Sequence, residues 1–273
     1  MLGITALGGA LFAEDIWPRE QWQPGPEPAP EAPVYTYRYI KERSVADRPD
    51  DVLGEKQIHA VYVLPSDGED KGYDTSGAIA VSMESGERWL ENQTDGRRLR
   101  LDTWNGMLDV SFYRFSRTEA ELEKTPGLMY EELRLAGFNT TNKLYAVHYG
   151  ASGPFCGISE SVSWAIVYLY NCGDPRDPFA PQLESFREER TTGIFHEIFH
   201  SLGAVPSCAP HKSGESHVSD SPQDLMYNYR LPGPLPDPED PIVLDFGRDD
   251  YYGHGRDDCP DVAKSPFWQD GTA

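Results

Sequence analysis

The sequence predicts an α/β (α+β) fold, in which helices pack on a mixed, twisted sheet and the C-terminal part consists mainly of loops. Strand-like and helix-like segments alternate ahead of residue 203, which favours a sheet covered by helices. Pro, Gly, Ser and Asp dominate from Gly203 onward, which indicates loops and turns. The chain has 273 residues with 38% hydrophobic content, enough for one sizeable core behind a short leader.

Residues 1–52 are predicted to be an apolar start followed by a Pro-rich leader or linker. The run from Leu2 to Ala13 is typical of a short signal peptide, although no basic residue precedes it; the alternative is a segment that packs or frays. The stretch from Trp17 to Pro33 is acidic and Pro-rich and lacks periodicity, as in an extended linker. The folded domain is therefore expected at residues 53–273.

The elements of the folded domain are predicted from periodicity and from their end signals. Gln57 to Pro65 alternates apolar and β-branched residues and stops at proline, which predicts a first core strand. The other predicted elements are a helix at 76–93, strand at 99–115, a helix at 119–136, and strands at 143–149 and 163–170.

Charge and hydropathy exclude some classes of partner. The formal net charge of −21 would repel phosphate backbones, so nucleic acid is not an expected partner. The sequence has no apolar run of about eighteen residues, so membrane insertion is not expected. A monomer is the expected oligomeric state.

The chain has four cysteines, at positions 156, 172, 208 and 259, and no Cys-x-x-Cys pair. An even number without metal-site spacing favours disulfides, and we prefer Cys156–Cys172 and Cys208–Cys259 among the three connectivities. The alternative is four buried thiols. Disulfides, the apolar start and the Pro-rich leader together predict a secreted, extracellular protein.

The segment around residue 196 carries the residues suited to metal chemistry. His196 and His200 are four residues apart, so a helix places both imidazoles on one face, where a single zinc ion can bridge them. Glu197 would lean into the same cleft as a general base rather than as a ligand. Gly203 supplies a position at which the helix can end and the chain can turn back.

These residues resemble the zinc helix and Met-turn of the metzincin metallopeptidases. The resemblance covers His196-Glu-Ile-Phe-His-Ser-Leu-Gly203 and Asp224-Leu-Met226-Tyr. It implies a metzincin-like fold, with residues 53–273 as the catalytic domain, and a zinc-dependent endopeptidase acting on proteins or peptides. It also implies that Met226 lies beneath the metal. A bacterial, secreted snapalysin-like or leishmanolysin-like metzincin is the nearest likeness.

Two positions depart from the metzincin pattern. The usual third ligand falls on Pro206, which cannot bind metal, so an insertion must bring the ligand from further along the chain. The tyrosine expected two residues after Met226 is replaced by Asn228, which leaves the role of Tyr227 or Tyr229 open.

Three residues downstream of the glycine turn are candidates for the third zinc ligand: His217, His211 and Asp220. We prefer His217 because it lies nine residues before the methionine, close enough for a compact loop to hold both near the metal. His211 lies near Cys208, where a disulfide could anchor it. Asp220 could instead accept a hydrogen bond from the ring of a ligating histidine.

Other positions are weaker candidates for ligands. Glu215 would be the third ligand of a gluzincin, but its surroundings do not predict the helix that such a ligand needs. His59, His148 and His254 are more typical of core or surface histidines. Several aspartates could hold Ca²⁺ but lack EF-hand spacing and are more typical of a solvated face: Asp245, Asp249, Asp250, Asp257 and Asp258.

Two functions from different classes stay open. The first is a zinc endopeptidase in which Glu197 transfers the proton. The alternative is a catalytically silent secreted binding or adhesion module that uses Trp89, Trp104 and Trp164 as a contact surface. The intact Glu197 favours the enzyme.

Overall fold

A computed structural model describes residues 38–160, 162–171, 189–228 and 241–269, with the side chains of the third segment described from residue 193. The predicted signal peptide, the Pro-rich linker, Cys172 and Tyr229 lie outside the described residues. Within those ranges, no helix is both long and apolar enough to cross a membrane.

The described chain contains eleven short or medium strands and four α-helices. The strands are β1 (Gln57–Leu64), β2 (Arg98–Leu99), β3 (Thr103–Trp104), β4 (Met107–Leu108), β5 (Val110–Arg114), β6 (Lys143–Tyr149), β7 (Gly157–Glu160), β8 (Trp164–Tyr168), β9 (Lys212–Ser213), β10 (His217–Val218) and β11 (Trp268–Gln269). The helices are α1 (Ala78–Gln93), α2 (Glu119–Lys124), α3 (Gly127–Leu135) and α4 (Glu189–Ser201), with 3₁₀ turns at Phe246–Arg248 and Val262–Lys264.

Five of the strands form one mixed sheet, which confirms the predicted α/β fold. Their order is β5-β1-β6-β8-β7. The first four strands run parallel to one another, and β7 is antiparallel to β8, with Gly157 opposite Val167. The strand β7 therefore forms one edge of the sheet, next to the strand that precedes α4.

Both faces of the sheet are buried. On one face, Ile58 and Tyr62 of β1 belong to a core that includes residues of α1 and α4. On the other face, Val61 and Val63 share a core with residues of α2 and α3, among them Leu133. A strand that is buried on both sides needs apolar residues at successive positions, which explains the nearly continuous apolar run of β1.

Two predicted elements are interrupted. The predicted strand at 99–115 consists of β2 to β5, because Asn105 and Gly106 adopt positive φ values of 54° and 69° and form a turn between β3 and β4. The predicted helix at 119–136 is divided into α2 and α3 at Thr125 and Pro126, since proline lacks the N–H group that would continue the helix.

The segment immediately before the predicted domain start contacts the sheet region through two arginines. Arg43 pairs with Asp70 and Asp74 at 2.5 and 2.7 Å. The guanidinium of Arg48 pairs with the buried carboxylate of Asp109, which also accepts the Arg48 backbone N–H. The predicted boundary at residue 52 stays a prediction.

A disulfide attaches the segment after α4 to the C-terminal segment. Cys208 and Cys259 are bonded, with their Cα atoms 5.8 Å apart, which confirms this predicted pair. The predicted Cys156–Cys172 pair lies outside the described residues because Cys172 does.

Candidate metal centre

Helix α4 carries the first two histidines. Its apolar residues hold it against the sheet. Four of its side chains are fully buried: Ile194, Phe195, Ile198 and Phe199. His196 and His200 lie one turn apart, with ring centroids 4.6 Å apart. Gly203, whose φ is 88°, ends the helical path and donates its N–H to the carbonyl of His200 at 3.0 Å.

His217 reaches the same place from a β-hairpin. β9 and β10 pair antiparallel, with His217 opposite Ser213, and Gly214 and Ser216 turn the chain with φ values of 55° and 60°. The His217 ring centroid lies 5.2 Å from that of His196 and 4.8 Å from that of His200. The segment after the helix therefore folds into a hairpin that brings His217 back to α4.

The three imidazoles form a donor set that fits zinc. One nitrogen from each of His196, His200 and His217 lies within 4.8 Å of the others. Burial lowers the pKa of His196 to about 4; it also lowers the pKa of His200 to about 2, assisted by the two neighbouring imidazoles and by Lys212. Both rings are therefore neutral at pH 7 and can donate a lone pair. Three protein ligands with an open position are typical of catalytic zinc.

Glu197 directly follows His196 on α4 and is buried. Its side chain is 6% exposed, and burial raises its pKa to about 8. A Cβ atom placed on Gly157 would lie 2.6 Å from Cγ of Glu197. The carboxyl group therefore faces the edge strand β7 at a point where only glycine leaves enough space.

The Met-turn, residues 224–228, supports two of the histidines. Nδ1 of His196 donates to the carbonyl of Leu225 at 2.6 Å, which leaves Nε2 for a metal. Met226 is fully buried, and its carbonyl accepts the N–H of Val218, next to His217, at 2.9 Å.

The other candidate ligands lie in a second group. Nδ1 of His211 is 3.0 Å from Asp250, and the His211 N–H donates to the same carboxylate at 2.7 Å. One ligand atom from each of His211, Asp220, Asp249 and Asp250 lies within 4.8 Å of the others. Glu215 is exposed in the hairpin turn rather than on a helix, as predicted.

The remaining histidines also lie apart from the three-histidine group. His59 is fully buried, with Nδ1 2.7 Å from Asp102 and Nε2 2.9 Å from Ser111. One ligand atom from each of His59, Asp47, Asp102 and Asp109 lies within 4.8 Å of the others, so the prediction that His59 is not a ligand stays a prediction. His148 is buried, and burial lowers its pKa to about 4. His254 bonds to a nearby backbone carbonyl at 3.1 Å.

The predicted solvated acidic face is wrong for two of its five aspartates. Asp245 and Asp250 are 3% and 0% exposed. Asp245 is buried because its carboxylate accepts the successive backbone N–H groups of residues 250–252 and so organises a loop. Asp257 and Asp258 are exposed, as predicted. Calcium binding stays a prediction.

The three tryptophans of the adhesion alternative do not form an open contact surface. Trp164 is buried and stacks on Tyr145, with ring centroids 4.9 Å apart. Trp89 is half-buried and donates its ring N–H to the carbonyl of Ile242 at 3.1 Å. Trp104 is half-buried, and the guanidinium of Arg48 lies over its ring, 5.2 Å from the centroid.

Sequence reasoning assigned no role to four residues around the candidate site, although it included Asp224 in the motif. Gly157 adjoins Glu197, Lys212 lies near His200, and Asp224 with Tyr251 braces the Met-turn. The position of Asp224 directly before the Leu-Met of the turn was a usable signal, since Asp often bonds to a backbone N–H two residues further on. The other three come close only through tertiary packing.

Comparisons with known proteins give only distant likenesses. No family model matches the chain, and no curated protein matches it. Wild-type OgpA from Akkermansia muciniphila is similar in structure, with a TM-score of 0.36, 15% identity, and coverage of 62% of this chain and 51% of OgpA. Catalytically inactive OgpA, solved with an O-glycopeptide substrate, gives the same TM-score and coverage at 14% identity.

Archaemetzincin from Methanopyrus kandleri is similar with a TM-score of 0.37 and 14% identity, over 65% of this chain and 84% of that protein. The chain thus spans about half the length of OgpA and most of archaemetzincin. At these identities and TM-scores, the activity of neither protein transfers to this chain.

Proposed function

We propose that this chain is a zinc-dependent endopeptidase. The observation that carries the proposal is the convergence of His196, His200 and His217, together with the buried Glu197 that directly follows His196 on α4. Three imidazoles suit a catalytic zinc ion, which when bound supplies Lewis-acid polarisation of a scissile carbonyl and of a water molecule.

In this function Glu197 is the general base. It follows the first ligand on α4, so the helix that places the imidazoles also places the carboxylate. Burial alone sets its pKa at about 8, and the charge of a bound zinc ion would lower that pKa. The ionised carboxylate then takes a proton from the attacking water and returns it to the leaving amine. The space beside Gly157 lets the carboxyl group take this position without contact from a side chain on β7.

The edge strand β7 supports a peptide substrate. No described strand pairs with its outer side. An extended peptide could add to that side by backbone hydrogen bonds and pass alongside Glu197. This arrangement favours cleavage within a chain, although the snapalysin-like or leishmanolysin-like subtype stays a prediction.

The test compares wild-type protein with Glu197→Gln. The wild type is expected to bind one zinc ion and to hydrolyse casein or gelatin, and a chelator should abolish the hydrolysis. The variant should keep its zinc and lose turnover by about two to four orders of magnitude, because it loses the base but no ligand. Zinc-loaded wild type that cleaves no member of a substrate panel would favour the binding-module alternative.

We also propose that the protein is secreted, as the disulfide between Cys208 and Cys259 supports. Thiol titration of the denatured, unreduced protein from its native host should find this pair oxidised. Finding four free thiols would refute the oxidising compartment.

A further inference from the structure

The Met-turn accepts hydrogen bonds from His196 and from the neighbour of His217. The carbonyl of Leu225 accepts from Nδ1 of His196 at 2.6 Å, and the carbonyl of Met226 accepts from Val218, the neighbour of His217, at 2.9 Å. A shift of this one turn would therefore move both the ring that it holds directly and the hairpin that carries the third histidine.

Asp224 fixes the turn from inside the protein. It is fully buried, and Oδ1 accepts the N–H of Met226 at 2.6 Å and the hydroxyl of Tyr251 at 2.9 Å. Oδ2 accepts the N–H of Phe246 at 2.6 Å. Three donors on one buried side chain leave it little freedom, and they connect the turn to the C-terminal segment.

Tyr251 is the other half of this connection. It is fully buried, and its hydroxyl donates to Asp224 while accepting the N–H of Asp245 at 2.8 Å. Asp245 in turn accepts the N–H groups of Tyr251 and Tyr252 at 2.7 and 2.5 Å. Hydrogen bonds therefore hold both the backbone N–H and the side-chain hydroxyl of Tyr251.

We propose that Asp224 and Tyr251 are positioning residues for His196, acting through the carbonyl of Leu225. The proposal rests on the proposed zinc function. A fixed carbonyl keeps the proton on Nδ1 of His196 and aims Nε2 at the metal, whereas a loosened turn lets the ring rotate. Groups that orient a ligand in this way typically change metal affinity by about 10- to 100-fold when removed.

The experiment uses Tyr251→Phe and Asp224→Asn, with Tyr145→Phe as a matched control. Tyr145 is also buried, and its hydroxyl also accepts a backbone N–H, from Thr140 at 2.9 Å. Zinc affinity is measured by competition with a coloured chelator. The visible spectrum is recorded with Co²⁺ in place of zinc. Thermal unfolding is followed on the metal-free protein. NMR of the metal-free protein reports the ring tautomer of His196.

We expect both test variants to bind zinc about 10- to 100-fold more weakly, to show altered Co²⁺ bands and to lose the single Nδ1–H tautomer. Tyr145→Phe should lower only the unfolding temperature. If folded Tyr251→Phe keeps wild-type affinity, spectrum and tautomer, the positioning role is wrong, and equal loss in Tyr145→Phe would also overturn it. Wild type that binds no zinc refutes the proposed function as well, whereas unchanged variants of an active, zinc-binding wild type refute the positioning alone.

Discussion

At the scale of single residues, Glu87 of helix α1 is a buried acid that the charge of Arg98 compensates only in part. It is 1% exposed, and neither of its carboxyl oxygens has a hydrogen-bond partner. Burial raises its pKa well above the usual value, and the nearby charge of Glu84 raises it further. The native fold therefore favours the protonated form of Glu87.

We predict that Glu87→Met raises the free energy of unfolding by about 1–3 kcal/mol at neutral pH, because it removes a buried polar group that has no partner. Since the pKa of Glu87 is higher in the folded than in the unfolded state, wild-type stability is greatest below the ordinary glutamate pKa and falls as the pH rises through the folded value. The gain should therefore be small at about pH 4.5 and larger at about pH 7.5. Urea unfolding at both pH values measures it.

Glu84→Met is the control for this prediction. Glu84 lies on the same helix with a side chain 38% exposed, 3.8 Å from Arg98. Its replacement should change stability by less than about 1 kcal/mol at either pH. Equal effects of the two substitutions would contradict the role assigned to burial.

The residues of the candidate metal centre differed in how far the sequence could predict them. His196, Glu197 and His200 follow from helical spacing, which is local, and His217 follows from its distance to Met226. The contact between Asp224 and Tyr251 spans 27 residues, and that between His211 and Asp250 spans 39. Such distant pairs form only when the tertiary structure packs, and the hydrophobic periodicity of the sequence does not predict them.

At the scale of elements, α1 and α4 pack closely because Gly86 has no side chain. A Cβ atom at Gly86 would lie 2.0 Å from Cε2 of Phe195, a ring that is itself fully buried. The close approach brings α4, and with it the two histidines, against the core shared with the sheet.

We predict that Gly86→Ala lowers the free energy of unfolding by about 1–3 kcal/mol, because overpacking against Phe195 outweighs the better helix propensity of alanine. Gly127 of α3 is exposed, and a Cβ atom there would have no neighbour within 4 Å. Gly127→Ala should therefore have the opposite sign and raise stability by up to about 1 kcal/mol. Denaturant unfolding of the two variants compares their free energies of unfolding. Stabilisation by Gly86→Ala would show that α1 and α4 can move apart without cost.

The elements were predictable where one pattern governs a whole segment. The burial of β1 and β6 on both faces produces apolar runs that identify them. The run at 99–115 also looked continuous, but Asn105 and Gly106 turn it at positive φ, and Pro126 divides the run at 119–136. Single turn residues therefore outweighed the hydrophobic pattern in both segments.

At the scale of the whole molecule, the segment that carries His217 is tied to the C-terminal segment at several points. The disulfide closes a separation of 51 residues between Cys208 and Cys259. Arg256 donates to the carbonyl of Cys208 at 3.0 Å, and the N–H of His211 donates to Asp250 at 2.7 Å. In the folded state, these two hydrogen bonds and the disulfide join the same two segments of the chain.

Because hydrogen bonds also join these segments, loss of the disulfide should lower stability without changing the candidate metal centre. We predict that the double variant Cys208→Ser, Cys259→Ser lowers the free energy of unfolding by about 2–4 kcal/mol, because the crosslink mainly restricts the unfolded chain. Zinc affinity of the folded variant should stay at the wild-type value, since the bonds that hold His196 and the hairpin of His217 come from the Met-turn instead. Unfolding curves and chelator competition below the unfolding temperature measure the two effects. A folded double variant with weakened zinc binding would show that the crosslink itself, rather than the Met-turn, holds the third histidine in place.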